Sequence, residues 1–317
     1  MIVDIAGTTA SAVAKRLVKL REEGGAVALG RVLTLVIVAH DDDVETAVEA
    51  ANAASREHPC RVIVVAHDDN NGGSEARLDA QIRVGGDAGA SEVVVLHPQG
   101  DIHEHLDTLI MPLLLPDTPI VAWWPSELPR NTGERAVADL AQALITDSVS
   151  SERPHEMLAE LRKRHHPRHT DLAWTRATVW RGLLAATLDN PPYEPVQRAL
   201  VEGDGSHPSL DLVAAWLAQS LRCPVEIKRV DGAQAVTKVV LSRASGDIVI
   251  ARPEGAVATL SQPGQPTHRI SLPVRTLREC LAEELRRLDP DEVYGEVLVK
   301  GLARLEGWDK VPAGDRL

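Results

Sequence analysis

Three histidines fall where chemistry is easiest to build. His40, His67 and His97 each stand at or just beyond the end of an apolar run of strand length, and Asp41, Asp42, Asp68 and Asp69 follow the first two. Imidazole beside carboxylate can move protons or hold a divalent metal. In open α/β sheets, ligands collect outside the carboxyl ends of the strands, which is where these side chains would sit. Buried strands also end in polar residues simply because they reach water there, so both readings stand open. The segments Val38-Ala39-His40-Asp41-Asp42 and Val65-Ala66-His67-Asp68-Asp69 end alike, as a repeated βα unit would.

A second set lies in Arg162-Lys163-Arg164-His165-His166-Pro167-Arg168-His169. Pro167 breaks the register that would present two histidines on one helix face. The stretch reads as a basic helix terminus, favourable with the helix dipole, or as a docking patch for an acidic partner or a phosphate.

A third is Asp171-Leu172-Ala173-Trp174-Thr175-Arg176-Ala177-Thr178-Val179-Trp180-Arg181. On one helix, Arg176 and Trp180 are four apart and can stack as cation and π face. The tryptophans are either core anchors under snorkelling arginines or an interface patch, since Trp and Arg dominate binding hot spots. Trp123-Trp124-Pro125 poses the same choice, and strand alternation sends the two rings to opposite faces, leaving at most one free. Trp123, Trp124, Asp171, Trp174, Arg176, Trp180 and Arg181 are therefore the candidate partner-binding residues.

Other motifs fail. Gly25 to Val32 has phosphate-loop spacing but lacks the Lys-Ser/Thr pair and precedes a strand instead of following one. No G-x-G-x-x-G follows a strand, and neither G-x-S-x-G nor H-E-x-x-H occurs. Cys60, Cys223 and Cys280 are too sparse for a disulfide framework or a zinc site and read as buried or half-buried thiols in a reducing cytosol. No catalytic residue, metal or cofactor is expected.

The elements that must position these residues follow from hydrophobic periodicity. A helix over Ser11–Glu23 precedes an apolar strand over Val32–Ala39, a helix over Val44–Ser55 and a strand over Arg61–Ala66. Further strands are expected at Ser91–Leu96 and Pro119–Trp124, an edge strand at Leu78–Val84, and a helix at Asp101–Leu115 broken at Pro112. Helices at Glu152–His166 and Asp171–Leu188 follow. Strands are then expected at Val196–Val201 and Val225–Val230 around a helix at Ser209–Leu221 capped by its serine, and four short strands form a meander between Lys238 and Leu272. Two helices close the chain, near Thr276–Leu288 and Asp291–Leu305, before a loose tail. The fold class is an α/β N-terminal domain with a mostly parallel sheet (1–170, Rossmann-like without a dinucleotide fingerprint), then an α+β C-terminal domain with an antiparallel meander (171–317).

The chain has 317 residues, 34 basic against 46 acidic side chains, a net charge of −12, six Trp, two Tyr and no Phe. An apolar fraction of 44% excludes a disordered chain and makes the core aliphatic. The acidic balance argues against nucleic-acid binding, and the scarcity of aromatics against base-stacking platforms. No signal peptide is apparent, and the longest apolar run is far short of the roughly 20 residues that cross a bilayer. A cytoplasmic protein is expected, with its own oligomeric state left open.

Several long segments carry a resemblance: Arg21 to Thr34, Ala53 to Val64, Pro119 to Pro125, Asp171 to Arg176, and Asp211 to Leu217. They resemble the OpcA family, glucose-6-phosphate dehydrogenase assembly proteins, and the first two look like its actinobacterial branch. The resemblance implies a non-catalytic partner that promotes assembly or allosteric activation of the dehydrogenase in the oxidative pentose phosphate pathway. It carries no catalytic residue set. The alternative is an enzyme or sensor that binds a sugar phosphate or metal at the strand-end histidines.

Overall fold

The computed structural model describes residues 1–23, 30–68, 75–85, 92–308 and 310. Most of the phosphate-loop-like stretch, Asp69, Ser91 and most of the tail lie outside the described residues. The chain divides into two compact units, Met1–Asp147 with Leu277–Pro290, and Ser148–Thr276 with Asp291–Leu317.

The first unit runs β1 (Ile2–Ile5), α1 (Ala10–Glu23), β2 (Leu33–His40), α2 (Val44–Ala54), β3 (Cys60–His67), β4 (Arg77–Arg83), β5 (Glu92–Gln99), α3 (Leu106–Ile110), β6 (Ile120–Trp124), α4 (Thr132–Leu140) and β7 (Ala143–Thr146). Its strands are hydrogen-bonded in the order β1-β4-β5-β3-β2-β6-β7. Every pairing from β5 to β7 is parallel. In β2 and β3 the first seven residues are all buried, because central parallel strands are covered on both faces. Val36, Val38, Ile63, Val65 and Trp124 pack with Val13, Leu17 and Leu20 of α1 and with Leu106, Ile110 and Val137. Alternation turns Leu35, Ile37, Val62, Val64 and Trp123 to the other face. There α2 packs on β2 and β3 and against a helix at Leu277–Arg286.

Two expectations change. The strand near Leu78–Val84 is interior, because β1 pairs with it antiparallel and takes the edge. The helix expected at Asp101–Leu115 is a 3₁₀ stretch, the short α3, and a second 3₁₀ turn at Met111–Leu113. Pro112 has no N–H to continue the ladder.

The second unit runs α5 (Pro154–Lys163), β8 (His169–Asp171), α6 (Leu172–Arg176), α7 (Thr178–Leu188), β9 (Arg198–Gly203), α8 (Pro208–Leu221), β10 (Val225–Arg229), β11 (Val236–Arg243), β12 (Gly246–Ala251), β13 (Val257–Ser261) and β14 (His268–Ser271). Six strands are ordered β10-β9-β11-β12-β13-β14, with only β9 and β10 parallel. The crossover α8 is buried along most of its length and packs on β9 and β10. A further helix at Glu292–Glu296 continues through a π-helical turn at Val297–Gly301. A Cβ at Gly301 would lie 2.9 Å from the Ala215 carbonyl oxygen, so glycine lets this turn approach α8.

The helix expected over Asp171–Leu188 is two helices. The Ala177 amide turns back to the Trp174 and Thr175 carbonyls, ending α6 before α7 begins. Nor is Ser209 the cap of α8. Pro208 takes the first turn, His207 caps by accepting from the Ser209 amide, and the Ser209 hydroxyl donates to the Ala173 carbonyl.

Candidate functional site

Register brings two of the three strand-end histidines together. His40 is paired with His67 across β2 and β3, with ring centroids 5.8 Å apart at 85°. His97 stands on the next strand, and its Nδ1 is 3.5 Å from Asp41 Oδ1. The His40 Nδ1 accepts from the Asp42 amide at 3.3 Å and caps a 3₁₀ turn. On β4, Asp79 faces His97 and accepts from the Gly7 amide at 2.7 Å, the largest of the effects that hold its carboxyl below the usual range. The sheet reverses its strand order between β2 and β6, the switch point at which α/β folds take ligands. That crevice is crossed by a hydrogen bond of 2.7 Å from Ser126 Oγ to Asp43 Oδ2. Among the described residues no three His, Cys, Asp or Glu side chains converge as metal ligands do. The arrangement offers imidazoles on a half-exposed edge that could receive or hand on a proton.

The Trp/Arg segment is built inward. Trp123 and Trp124 are 0% and 1% exposed, and Trp174 and Trp180 1% and 4%. In the chain by itself the structure places all four rings in the core. The Trp174 Nε1 donates to Asp291 Oδ2 at 2.7 Å, and Asp291 caps the final helix through the Tyr294 amide. Asp171 is fully buried: its carboxylate accepts from the Ala173 amide, the Ser148 amide and the Ser148 hydroxyl, so it is a helix cap. The cation–π partners also differ from those expected. Arg181 stacks on Trp174 at 3.5 Å from the ring centroid, and Arg252 lies 5.9 Å from Trp180. The break at Ala177 is the reason, since Arg176 and Trp180 belong to different helices. Arg176 and Arg181 stay half-buried and reach the surface.

The basic stretch is less basic than its sequence suggests. The His169 Nε2 is shielded without a hydrogen-bond partner, and burial pushes the imidazole down to about 3. Burial also lowers His165, which packs edge-on to Tyr294. The histidines are neutral near pH 7 and add no charge to a docking patch.

Two features escaped the sequence. Asp211, fully buried in α8, accepts from Arg229 Nη2 at 2.8 Å, lies 3.0 Å from His155 Nε2 and accepts from Trp308 Nε1 at 3.1 Å. Burial opposes its ionisation, but the bonds to His155 and Arg229 hold its carboxyl below the usual range. An acid among the apolar residues of a buried helix was the signal for it. The second is a surface groove of about 580 Å³ between α8 and the C-terminal turns, lined by Trp216, Arg222, Val293, Lys300 and Arg304 among others. Trp216 is half-buried there and Val293 49% exposed.

Cys60 and Cys280 are buried and Cys223 half-buried. Among the described residues no helix is long and apolar enough to cross a membrane.

The architecture is an α/β unit joined to an α+β unit, and two family models match the chain. Residues 51–163 match the family model described as the glucose-6-phosphate dehydrogenase subunit N-terminal domain, and residues 167–298 the one described as its C-terminal domain. The chain belongs to the OpcA family. A relative from Synechocystis sp., named "Putative OxPP cycle protein OpcA", is 25% identical over 206 residues, covering 60% of this chain and 43% of the relative. The matched stretch is thus less than half of that relative's length. A solved glucose-6-phosphate dehydrogenase with its substrate aligns at 10% identity over 89% of this chain and 93% of that one, with a TM-score of 0.38. So low a score carries no argument.

Proposed function

We propose that this protein is a non-catalytic partner that binds glucose-6-phosphate dehydrogenase and promotes its assembly or allosteric activation. The observation that carries the reading is the match of both halves of the chain to one family of dehydrogenase-associated domains. The surface that suits it is the groove on the second unit. Trp216 and Val293 offer apolar contact there; Lys300 is paired with Glu296 of the same lining at 2.6 Å, and Arg222 and Arg304 leave the groove positive on a chain of net charge −12. An acidic surface carrying an apolar side chain is its complement, the hot-spot chemistry that Trp and Arg favour. Arg176 and Arg181 remain candidate contacts, with Trp174 stacked on Arg181 from within. The buried Trp123, Trp124, Asp171 and Trp180 act behind the surface.

Activation requires tighter binding to the active state. A coupling of about 1–3 kcal/mol would change the dehydrogenase's affinity for its substrate roughly 5–150-fold, and substrate would tighten the complex equally. The test is dehydrogenase kinetics against glucose 6-phosphate with this protein and with its W216A/R304E variant. Wild type should co-elute with the enzyme and shift its kinetics, and the variant should stay folded and do neither. Unchanged kinetics and no co-elution with wild type at micromolar concentrations would refute the reading.

A second reading keeps one observation in its favour. His40 and His67 do meet at the carboxyl edge of a parallel sheet, with His97 on the next strand beside Asp41. Stoichiometric metal in the purified protein, or ligand stabilisation abolished by His40→Asn, would favour an enzyme or sensor.

A further inference from the structure

The opposite edge of the same sheet carries a feature that the partner reading does not use. Glu92, 3% exposed at the start of β5, is surrounded by three arginines. Its Oε1 lies 2.6 Å from Arg31 Nη2 and 3.0 Å from Arg21 Nε. Its Oε2 accepts from Arg61 Nη2 at 3.0 Å and from Arg61 Nε at 3.2 Å. Arg61 Nη1 donates to the Leu113 carbonyl at 2.7 Å. Oε1 is shielded from solvent and makes no aligned hydrogen bond, so Arg21 and Arg31 are held there by charge, while Oε2 takes both bonds from Arg61.

The charges do not balance. Three guanidiniums against one carboxylate leave two positive charges in a pocket whose side chains are 32%, 14% and 7% exposed for Arg21, Arg31 and Arg61. No other acidic side chain among the described residues pairs with them. Arginine cannot escape by losing its proton, as a buried lysine would. The Nε atoms of Arg21 and Arg31 are also shielded from solvent without a hydrogen bond; the Arg21 Nε is near Glu92 but not aligned with it. A buried cation without a counter-charge is costly, and fold stability alone gives no reason to gather three around one acid. Burial lowers both Arg31 and Arg61, against the pull of Glu92.

We propose that Arg21, Arg31 and Arg61 form a binding site for a phosphate-class dianion, either free phosphate or the phosphate of a small phosphorylated metabolite, with Glu92 holding the guanidiniums in place. Two negative charges match the excess. Tetrahedral oxygens accept from several guanidinium donors at once. The half-open Arg21 side is the entry. The strands β2, β3 and β5 begin here and carry the strand-end histidines at their far ends, roughly 23 Å away at about 3.3 Å per residue. The site is therefore separate from the histidine edge, and it stands whether or not the dehydrogenase is the partner.

The experiment is calorimetric titration and thermal unfolding of the full chain in phosphate-free chloride buffer, with inorganic phosphate and then a hexose phosphate as probes. The variants are Arg31→Gln, Arg21→Gln and His40→Asn. Saturable binding of either probe is expected, weakened at least about tenfold in the two arginine variants and unchanged in His40→Asn. Binding of both probes identifies phosphate itself as the determinant; binding of the hexose phosphate alone identifies a phosphorylated metabolite. Without ligand, Arg31→Gln should be no less stable than wild type, because it removes an excess buried cation. The proposal is overturned if neither probe saturates at millimolar concentration, or if Arg31→Gln keeps full affinity. It is equally overturned if that variant is markedly destabilised without ligand, which would make Arg31 a structural partner of Glu92.

Discussion

Acidification tests the placement of His169. An unfolded chain titrates this imidazole near 6.5, whereas the folded protein holds it at about 3. Burial is the main cause, and positive charge on His165 and His166 would add to it. Between those two values the unfolded state binds the extra proton, so each fall in pH favours unfolding. The contribution to stability is intact above pH 6.5 and is lost progressively as the pH drops toward 3. From pH 7 to pH 5 one such group removes about 2 kcal/mol. In a unit of this size that is roughly 4–8 °C in Tm. The assay is denaturant unfolding at pH 7, 6 and 5 for wild type and His169→Gln. The variant lacks the titrating group, so its stability should fall by about 2 kcal/mol less over the interval, even if it starts lower. His165 and His166 remain in both proteins, so the difference in slope isolates His169. Parallel slopes would show that His169 is solvated in the folded state and would refute the reasoning.

Further outcomes follow from the buried polar groups of the second unit. Asp211→Ala leaves the Trp308 indole N–H, the Arg229 guanidinium and the His155 ring without this partner and should destabilise this unit by about 3–5 kcal/mol, read as a lowered denaturation midpoint. Trp174→Ala should cost about 3–5 kcal/mol as a core truncation, and Trp174→Phe about 1.5–3 kcal/mol through the lost bond to Asp291. If Trp174→Ala instead folds with wild-type stability while dehydrogenase binding disappears, the ring is a partner contact and its core placement is wrong.

Much of the fold was legible because its signals are local. The run Leu33–His40 is apolar throughout, which means a strand covered on both faces, and the alternation of Trp123 and Trp124 places their rings on opposite faces before any packing is known. The short β1 was not legible. Four residues of moderate burial become a strand only because β4 offers an unpaired edge. The return of Leu277–Arg286 to the first unit was equally hidden, since its amphipathic pattern names a buried face but not the helix it meets.

The site divides along the same line. Residue types and spacing alone determined which side chains were candidates: the strand-end histidines, the Trp/Arg segment, and long segments specific enough to point to a family. Tertiary structure decided where each one sits and what it touches. Strand register put His40 against His67. A turn at Ala177, decided by two backbone hydrogen bonds, removed the stacking of Arg176 on Trp180 and left Arg181 on Trp174. The arginine cluster was beyond local reading, because Arg21, Arg31, Arg61 and Glu92 come from four separate segments and meet only when β3 and β5 pair. Charge balance in a buried pocket is a sum over neighbours, and neighbours distant in sequence are set by the fold.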